Sequence, residues 1–209
     1  MGLSAITSVF DATRSDKLVA MPRWKPDARE RLIVAAVELF AENGYESTTV
    51  IEIAERAGLT KSTFFRYFPD KREVLFGGGA VATLLEQTIE DLPADLSARE
   101  VIAAALDAVG SQTFTPETRE FSGRRRAVIA ANPELQEREA LKGLSLTAAM
   151  SAGLTRRGVP ELAARVAAEF GALAMDIAYE RWSAAEGDEG FGVVVRRALD
   201  DVYAASSAS

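Results

Sequence analysis

Residues 53–75 read IAERAGLTKSTFFRYFPDKREVL, and this stretch sets the interpretation of the whole chain. Its first part has the apolar spacing of a short helix, which breaks at Gly58. The chain resumes at Thr60, a residue type that caps helix starts, and four aromatic side chains follow between residues 64 and 68. A helix this short is unstable by itself in water, so its aromatic side chains must pack against the preceding helix. The stretch therefore predicts two short helices joined by a tight glycine turn.

The second of these helices is predicted to have one packed surface and one open surface. We expect Phe64, Tyr67 and Phe68 to make the packing contact. The opposite surface then carries Lys61, Ser62, Thr63, Phe65 and Arg66. This pattern is typical of a helix-turn-helix, whose second helix enters the major groove of DNA with its N-terminal residues at base edges. The alternative is an ordinary helical hairpin with a solvated, charged face.

The segment TTVIEIAERAGLTKSTFFRYFPDKREVL, with the preceding RLIVAAVELFAENGYESTTV, resembles the DNA-binding domain of the tetracycline-repressor (TetR) family of bacterial regulators. The resemblance covers residues 27–76. It implies a loose arm over residues 1–22, a three-helix DNA-binding domain over residues 23–69, and a ligand-binding and dimerisation domain over residues 70–209. Residues 23–25, Arg-Trp-Lys, are either an arm that reaches a minor groove or part of an unstructured leader.

The resemblance also assigns roles to individual residues. Contacts to base edges are implied for Thr60, Lys61, Ser62, Thr63 and Phe65. Contacts to DNA phosphates are implied for Thr49, Tyr67 and Lys71. The family most often has tyrosine at the position of Phe65, and phenylalanine lacks the hydroxyl that would reach the DNA backbone. A phenyl ring can still contact the methyl group of thymine, as apolar side chains do.

Helix signals recur along the rest of the chain, and no segment shows the two-residue alternation of a strand. Starts are marked by two capping boxes, Thr49-x-x-Glu52 and Ser97-x-x-Glu100, and by Asn132 before Pro133. Glycines mark the ends, at Gly44, Gly58, Gly158 and Gly187. We predict an all-α chain of about nine helices, at residues 27–43, 49–57, 60–67, 70–92, 97–112, 116–131, 133–157, 160–186 and 190–205.

Composition excludes several kinds of chemistry. None of the 209 residues is cysteine or histidine, so disulfides, thiol catalysis and metal sites built on these ligands are impossible. We therefore expect no cofactor, no bound metal and no enzymatic activity, with catalysis by carboxylates alone as the open alternative. Residues 21–76 carry nine basic and nine acidic side chains, whereas residues 77–209 carry 13 and 20. The neutral N-terminal part suits an anionic partner better than the acidic remainder does.

The expected location is the cytoplasm. No apolar run reaches the roughly 18 residues of a membrane span, so no membrane partner is expected. The first residues lack the basic and apolar regions of a signal peptide.

The C-terminal part is expected to hold a small, largely apolar ligand, as the family resemblance implies. The candidate contacts are Phe114, Phe121, Arg124, Arg125, Met150 and Trp182, with Leu144, Phe170 and Met175 as further lining. The run GRRRAV at residues 123–128 resembles a subgroup that includes the mycofactocin-associated regulator, whose ligands are acyl-CoA-like. Three successive arginines point in different directions around a helix, so only one or two can face inward. Ordinary core packing of the aromatics and solvated arginines is the alternative.

The last two predicted helices are amphipathic and fit the intersubunit four-helix bundle that the resemblance implies for a homodimer. The candidate interface consists of Phe170, Leu173 and Ile177 on one helix and Val195, Leu199 and Val202 on the other. The alternative is that these residues pack within one chain. Gly77, Gly78 and Gly79 are predicted to form a pliable joint between the DNA-binding part and the ligand-binding part.

These observations predict a homodimeric repressor that a small molecule releases from a near-palindromic DNA operator. Two other classes remain open. One is a helical ligand-binding dimer that no longer reads DNA, and the other is a carboxylate-based enzyme. Binding to DNA that weakens steeply with salt would argue against the first of these.

Overall fold

The computed structural model describes residues 27–76, 80–185 and 189–207, and in these ranges the chain is built of helices and turns without a strand. The nine α-helices of the described part are α1 Ala28–Asn43, α2 Val50–Arg56, α3 Lys61–Tyr67, α4 Ala80–Asp91, α5 Ala98–Thr113, α6 Arg119–Ala130, α7 Pro133–Arg156, α8 Glu161–Ala184 and α9 Phe191–Ser207. Two short 3-10 helices lie at Arg72–Leu75 and Pro116–Thr118. The all-α prediction is confirmed.

Local side-chain capping sets where several helices begin. In α2 the Thr49 hydroxyl accepts the Glu52 N–H (3.2 Å), and the Glu52 carboxylate accepts the Thr49 N–H (2.7 Å). Ser97 and Glu100 make the same reciprocal pair at α5. Both predicted capping boxes are therefore confirmed, and Asn132 caps α7 as predicted.

The predicted helix over residues 70–92 is wrong in its first part. The Asp70 carboxylate accepts the N–H groups of Arg72 (2.9 Å) and Glu73 (3.1 Å), which holds a turn and a 3-10 helix instead of α-helix. An α-helix is present from Ala80 to Asp91. The predicted glycine joint at 77–79 lies outside the described residues, as do the N-terminal arm, residues 23–25 and the stop signal at 187.

Two apolar cores organise the molecule. The larger lies in the body, which we define as residues 80–185 and 189–207, and it joins α4, α5, α7, α8 and α9. The smaller lies in the head, residues 27–76, and it includes Val74, Leu75 and Phe76. Three residues of the body complete the head core, Val128, Ile129 and Leu135 from α6 and α7. The predicted boundary at residue 69 thus falls within a stretch that packs with the head.

An aromatic cluster joins α5, α8 and α9 in the body core. The ring centroids of Phe114 and Phe191 are 4.5 Å apart, and those of Trp182 and Phe191 are 5.7 Å apart. A Cβ atom placed on Gly110 would lie 2.5 Å from the Phe191 ring. Only glycine therefore allows α5 and α9 to approach this closely.

Candidate nucleic-acid interface and ligand cavity

The turn between α2 and α3 forms as the sequence predicts. Gly58 has φ of +67°, a conformation that glycine adopts without strain. The Leu59 N–H bonds the Ala54 carbonyl at 2.8 Å, and the Thr60 hydroxyl caps α3 by accepting the Thr63 N–H at 3.2 Å. These local bonds fix the direction in which α3 leaves the turn, so the helix-turn-helix prediction is confirmed.

Two of the three aromatics predicted to pack α3 do so. Phe64 and Phe68 are buried in the head core, with ring centroids 5.5 Å apart. The prediction for Tyr67 is wrong, because its ring is exposed beside the Arg66 guanidinium. Residues four apart share a helix face, which brings Phe64 and Phe68 together and leaves Tyr67 at the edge.

The opposite surface of α3 is open to solvent at its start. Lys61, Ser62 and Phe65 are exposed, and the Lys61 ammonium lies 5.9 Å from the centroid of the Phe65 ring. The hydroxyls of Thr60 and Thr63 are 3.0 Å apart and take part in the cap. The five predicted base-contact residues therefore lie together at one helix end. Their contacts to DNA remain predictions.

The predicted phosphate contacts have structural partners within the chain. Thr49 is the cap of α2, and its hydroxyl donates to the Glu52 carboxylate at 2.8 Å. The Lys71 ammonium donates to the carbonyls of Tyr45 (2.7 Å) and Thr48 (3.1 Å) and lies 4.0 Å from the Tyr45 ring centroid. An ammonium has three donors, so one remains for a phosphate. These contacts, and that of the exposed Tyr67, also remain predictions.

A cavity of about 690 Å³ lies inside the body and reaches the head. Its apolar lining includes Val81, Leu85, Leu106, Leu146, Ala172 and Met175. Arg29 and Ile33 of α1, and residues 74–76, close the end toward the head. The size and the mostly apolar lining are those of a site for a small organic ligand.

Four of the six predicted ligand residues line this cavity, namely Phe114, Phe121, Arg125 and Met150. Two do not, so the prediction has no support at them. Arg124 points to solvent, where it pairs with Glu120 one turn away (2.5 Å). Trp182 is fully buried in the aromatic cluster. Leu144 is also outside, because it faces solvent on α7.

Two cations lie on the wall of the cavity nearest the head. The Arg125 Nε donates to the Leu75 carbonyl at 2.7 Å, and the Lys142 ammonium donates to the Phe76 carbonyl. Burial, together with the nearby positive charge of Arg125, lowers the pKa of Lys142 to about 8. Sequence reasoning missed Lys142. The signal was present, since Lys142 falls four and eight residues before two apolar cavity residues of α7, at 146 and 150.

The residues predicted to form the dimer surface are buried on α9 and partly or largely exposed on α8. Val195, Leu199 and Val202 of α9 are buried in the core of the single chain, which leaves them little surface for an interface. Leu173 on α8 is 50% exposed, and Phe170 and Ile177 are half-buried. Leu162 and Val166 extend the same exposed apolar face along α8.

The described ranges contain no group of three or more Asp or Glu side chains placed to hold a metal ion. Within the same ranges, none of the helices combines the length and apolar character that crossing a membrane requires.

Residues 32–76 match the family described as bacterial regulatory proteins, tetR family. A protein named as the mycofactocin biosynthesis transcriptional regulator MftR of Mycobacterium tuberculosis is 30% identical over 102 residues, which are 48% of this chain and 50% of the relative. The transcriptional regulator TtgW of Pseudomonas putida is 35% identical over 101 residues, 46% of this chain and 70% of that relative. The chain spans between 31% and 50% of the length of MftR and of three other related regulators.

A solved structure of the regulator FadR from Bacillus subtilis, in complex with stearoyl-CoA, superposes with a TM-score of 0.54. The alignment covers 82% of this chain and 96% of that chain at 22% identity. At this identity the likeness establishes the shared fold.

Proposed function

Because the chain belongs to the tetR family of bacterial regulatory proteins, we propose that it is a ligand-responsive regulator that binds operator DNA as a homodimer in the cytoplasm. The observation that carries this proposal is the exposed start of α3, which buried Phe64 and Phe68 hold on the head. Lys61 would donate to guanine, Ser62 would read either base edge, and Phe65 would contact a thymine methyl. The predicted phosphate contacts would fix the register of the head on the duplex.

The ligand is proposed to occupy the cavity in the body. Its apolar lining suits a hydrophobic molecule, and the FadR structure of the same fold holds stearoyl-CoA. Acyl-CoA-like molecules are therefore the first class to test. In the proposed mechanism the ligand binds one arrangement of head and body more tightly than another and so releases the repressor from DNA. An affinity difference of a few kcal/mol between the two arrangements is enough for such a switch.

The proposed test of DNA reading is the variant Lys61→Ala. A good base contact contributes about 1–3 kcal/mol, and a dimer loses it twice, so we expect about hundredfold weaker binding. Fluorescence anisotropy with DNA that flanks the protein's own gene measures this affinity. The control is Arg99→Ala, which removes an exposed cation of the body and should leave the affinity unchanged. Equal affinities for the two variants, or no specific binding at low salt, would contradict the proposal.

The dimer is proposed to form through the exposed apolar face of α8. The variant Leu173→Glu places a charge at the middle of this face and should convert the dimer to monomers, because burying an unpaired carboxylate is costly. Sedimentation velocity measures the change. Leu144→Glu is the matched control, since Leu144 is 64% exposed but lies on α7. A Leu173→Glu protein that still sediments as a dimer would rule out this face.

The second candidate is a ligand-binding dimer that does not read DNA. Phe65 lacks a hydroxyl, and Lys71 uses two of its donors inside the chain, so both residues have fewer groups to offer to DNA phosphates. The relatives described above are transcriptional regulators. A steep loss of DNA binding between low and moderate salt would decide for the regulator, because it measures released counterions.

A further inference from the structure

The last residues of the head are held by cations that belong to the cavity. Arg125 donates to the Leu75 carbonyl (2.7 Å), and Lys142 donates to the Phe76 carbonyl. Leu75 and Phe76 are themselves buried in the head core. The same two cations therefore touch the ligand space and the backbone that ends the head.

The charge around these two side chains is not balanced locally. The Arg125 side chain is only 15% exposed, and its Nη1 lies 3.4 Å from the Glu139 carboxylate and 3.4 Å from the Tyr179 hydroxyl. The Lys142 ammonium has a neutral carbonyl as its hydrogen-bond partner. Three cations, Arg125, Lys142 and Arg138, therefore share two carboxylates, those of Glu139 and Glu73, at the edge of an apolar space. Asp176 and Arg29 also line the cavity.

We infer that Arg125 and Lys142 form an anion subsite of the cavity, and that the effector is an apolar molecule bearing one carboxylate. This inference rests on the proposed ligand-responsive function, but it replaces acyl-CoA-like molecules by free acids as the ligand class, because the thioester of an acyl-CoA carries no carboxylate. A carboxylate accepts a stronger hydrogen bond from a cation than a neutral carbonyl does. A carboxylate bound in the cavity would draw both cationic groups toward itself and away from the Leu75 and Phe76 carbonyls that they hold now.

The competition gives a direct route from the ligand to the head. When the carboxylate takes the donors, two buried backbone carbonyls lose their partners, and unpaired buried groups of this kind are destabilising. We expect residues 72–76 to shift so that these carbonyls find new hydrogen-bond partners. This segment is continuous in sequence with the helix-turn-helix, so its shift moves the head. A neutral ligand of the same shape fills the cavity without displacing either bond.

The first experiment needs no variant. Isothermal titration at pH 7, without DNA, compares straight-chain fatty acids of eight to sixteen carbons with the alcohols of the same lengths. We expect the best acid to bind the unmodified protein at least tenfold more tightly than its alcohol. Equal binding of acid and alcohol, or no binding by any acid of the series, would overturn the inference.

The second experiment locates the anion subsite. Arg125→Gln and Lys142→Gln should each weaken binding of the acid about tenfold and leave the alcohol within about twofold, so alcohol binding also reports a folded cavity. Arg124→Gln is the matched control, because Arg124 neighbours Arg125 in sequence but pairs with Glu120 in solvent. Acid binding that survives both cavity substitutions would overturn the inference. If a glutamine variant does not fold, Arg125→Lys and Lys142→Arg should fold and keep the preference for the acid.

Dodecanoyl-CoA separates a carboxylate from phosphates as the recognised anion. If this thioester binds more tightly than the acid and does so equally well in Arg125→Gln and Lys142→Gln, the anion is recognised elsewhere and the inference fails. The outcomes are independent of DNA binding. A protein that binds its operator but prefers the alcohol remains a regulator without this subsite. A protein that prefers the acid but binds no operator keeps the subsite and loses the proposed function.

Discussion

Replacing Phe64 with alanine is expected to lower the free energy of unfolding of the head by about 3–5 kcal/mol, the usual cost of deleting a buried phenyl ring. Phe64 is 0% exposed and contacts Phe68, so the deletion leaves a cavity between α3 and the rest of the head core. Because α3 has only seven residues, it cannot stay helical without this contact. Urea titration followed by circular dichroism measures the loss, and operator binding should disappear with it.

Phe65, the next residue in the sequence, provides the control for Phe64→Ala. Phe65 is 47% exposed, so Phe65→Ala should change the free energy of unfolding by less than about 1 kcal/mol. DNA affinity should nevertheless fall, since the ring is part of the proposed base-reading surface. If Phe64→Ala were as stable as Phe65→Ala, the proposed anchoring of α3 would be wrong.

Replacing Arg138 with methionine is expected to cost about 3 kcal/mol. Arg138 of α7 pairs with the Glu73 carboxylate, whose side chain is only 12% exposed, and stacks 5.9 Å from the Phe76 ring centroid. Removing the arginine leaves a mostly buried carboxylate without its partner, and breaking a fully buried pair costs about 3–5 kcal/mol. The value is set at the lower end because Arg138 is partly exposed. Chemical denaturation at pH 7 provides the measurement.

Two further variants test this explanation. Arg99→Met breaks the exposed pair between Arg99 and Asp200, and it should cost less than about 1 kcal/mol. Adding Glu73→Gln to Arg138→Met removes the unpaired charge and should restore most of the lost stability. A double variant no more stable than Arg138→Met alone would show that the arginine stabilises by packing instead of by charge.

Local signals in the sequence predicted local structure well. The capping pairs Thr49 with Glu52 and Ser97 with Glu100 lie three residues apart, so their geometry depends on little else. The glycine turn at Gly58 is equally local. Asp70 is the instructive failure, because the same side chain that can cap an α-helix here holds a 3-10 helix.

It was harder to predict which part of the protein packs against the apolar face of a helix. The apolar spacing of α9 correctly indicated a buried face at Val195 and Leu199, but the covering surface is the chain's own body core. Spacing cannot distinguish a partner in the same chain from one in a second copy. Trp182 illustrates the same limit, since its ring packs against Phe114, 68 residues earlier, and against Phe191 on the next helix.

The cavity shows this limit most clearly. The run of three arginines pointed to the correct helix, but only the fold distinguishes Arg125, on the cavity wall, from Arg124 in solvent. Lys142 acquires its role from Phe76, 66 residues away. The spacing of Lys142 from residues 146 and 150 indicates the helix face that it shares with them, but it does not indicate the contact with Phe76.

The use of body residues to complete the head core bears on protein engineering. Val128, Ile129 and Leu135 would stay behind if the head were transplanted onto the ligand-binding part of another regulator. The transplanted head would then meet a foreign surface where these side chains had been. A working chimera therefore has to bring along the matching surface of α6 and the first turn of α7, so the exchangeable module is discontinuous in sequence.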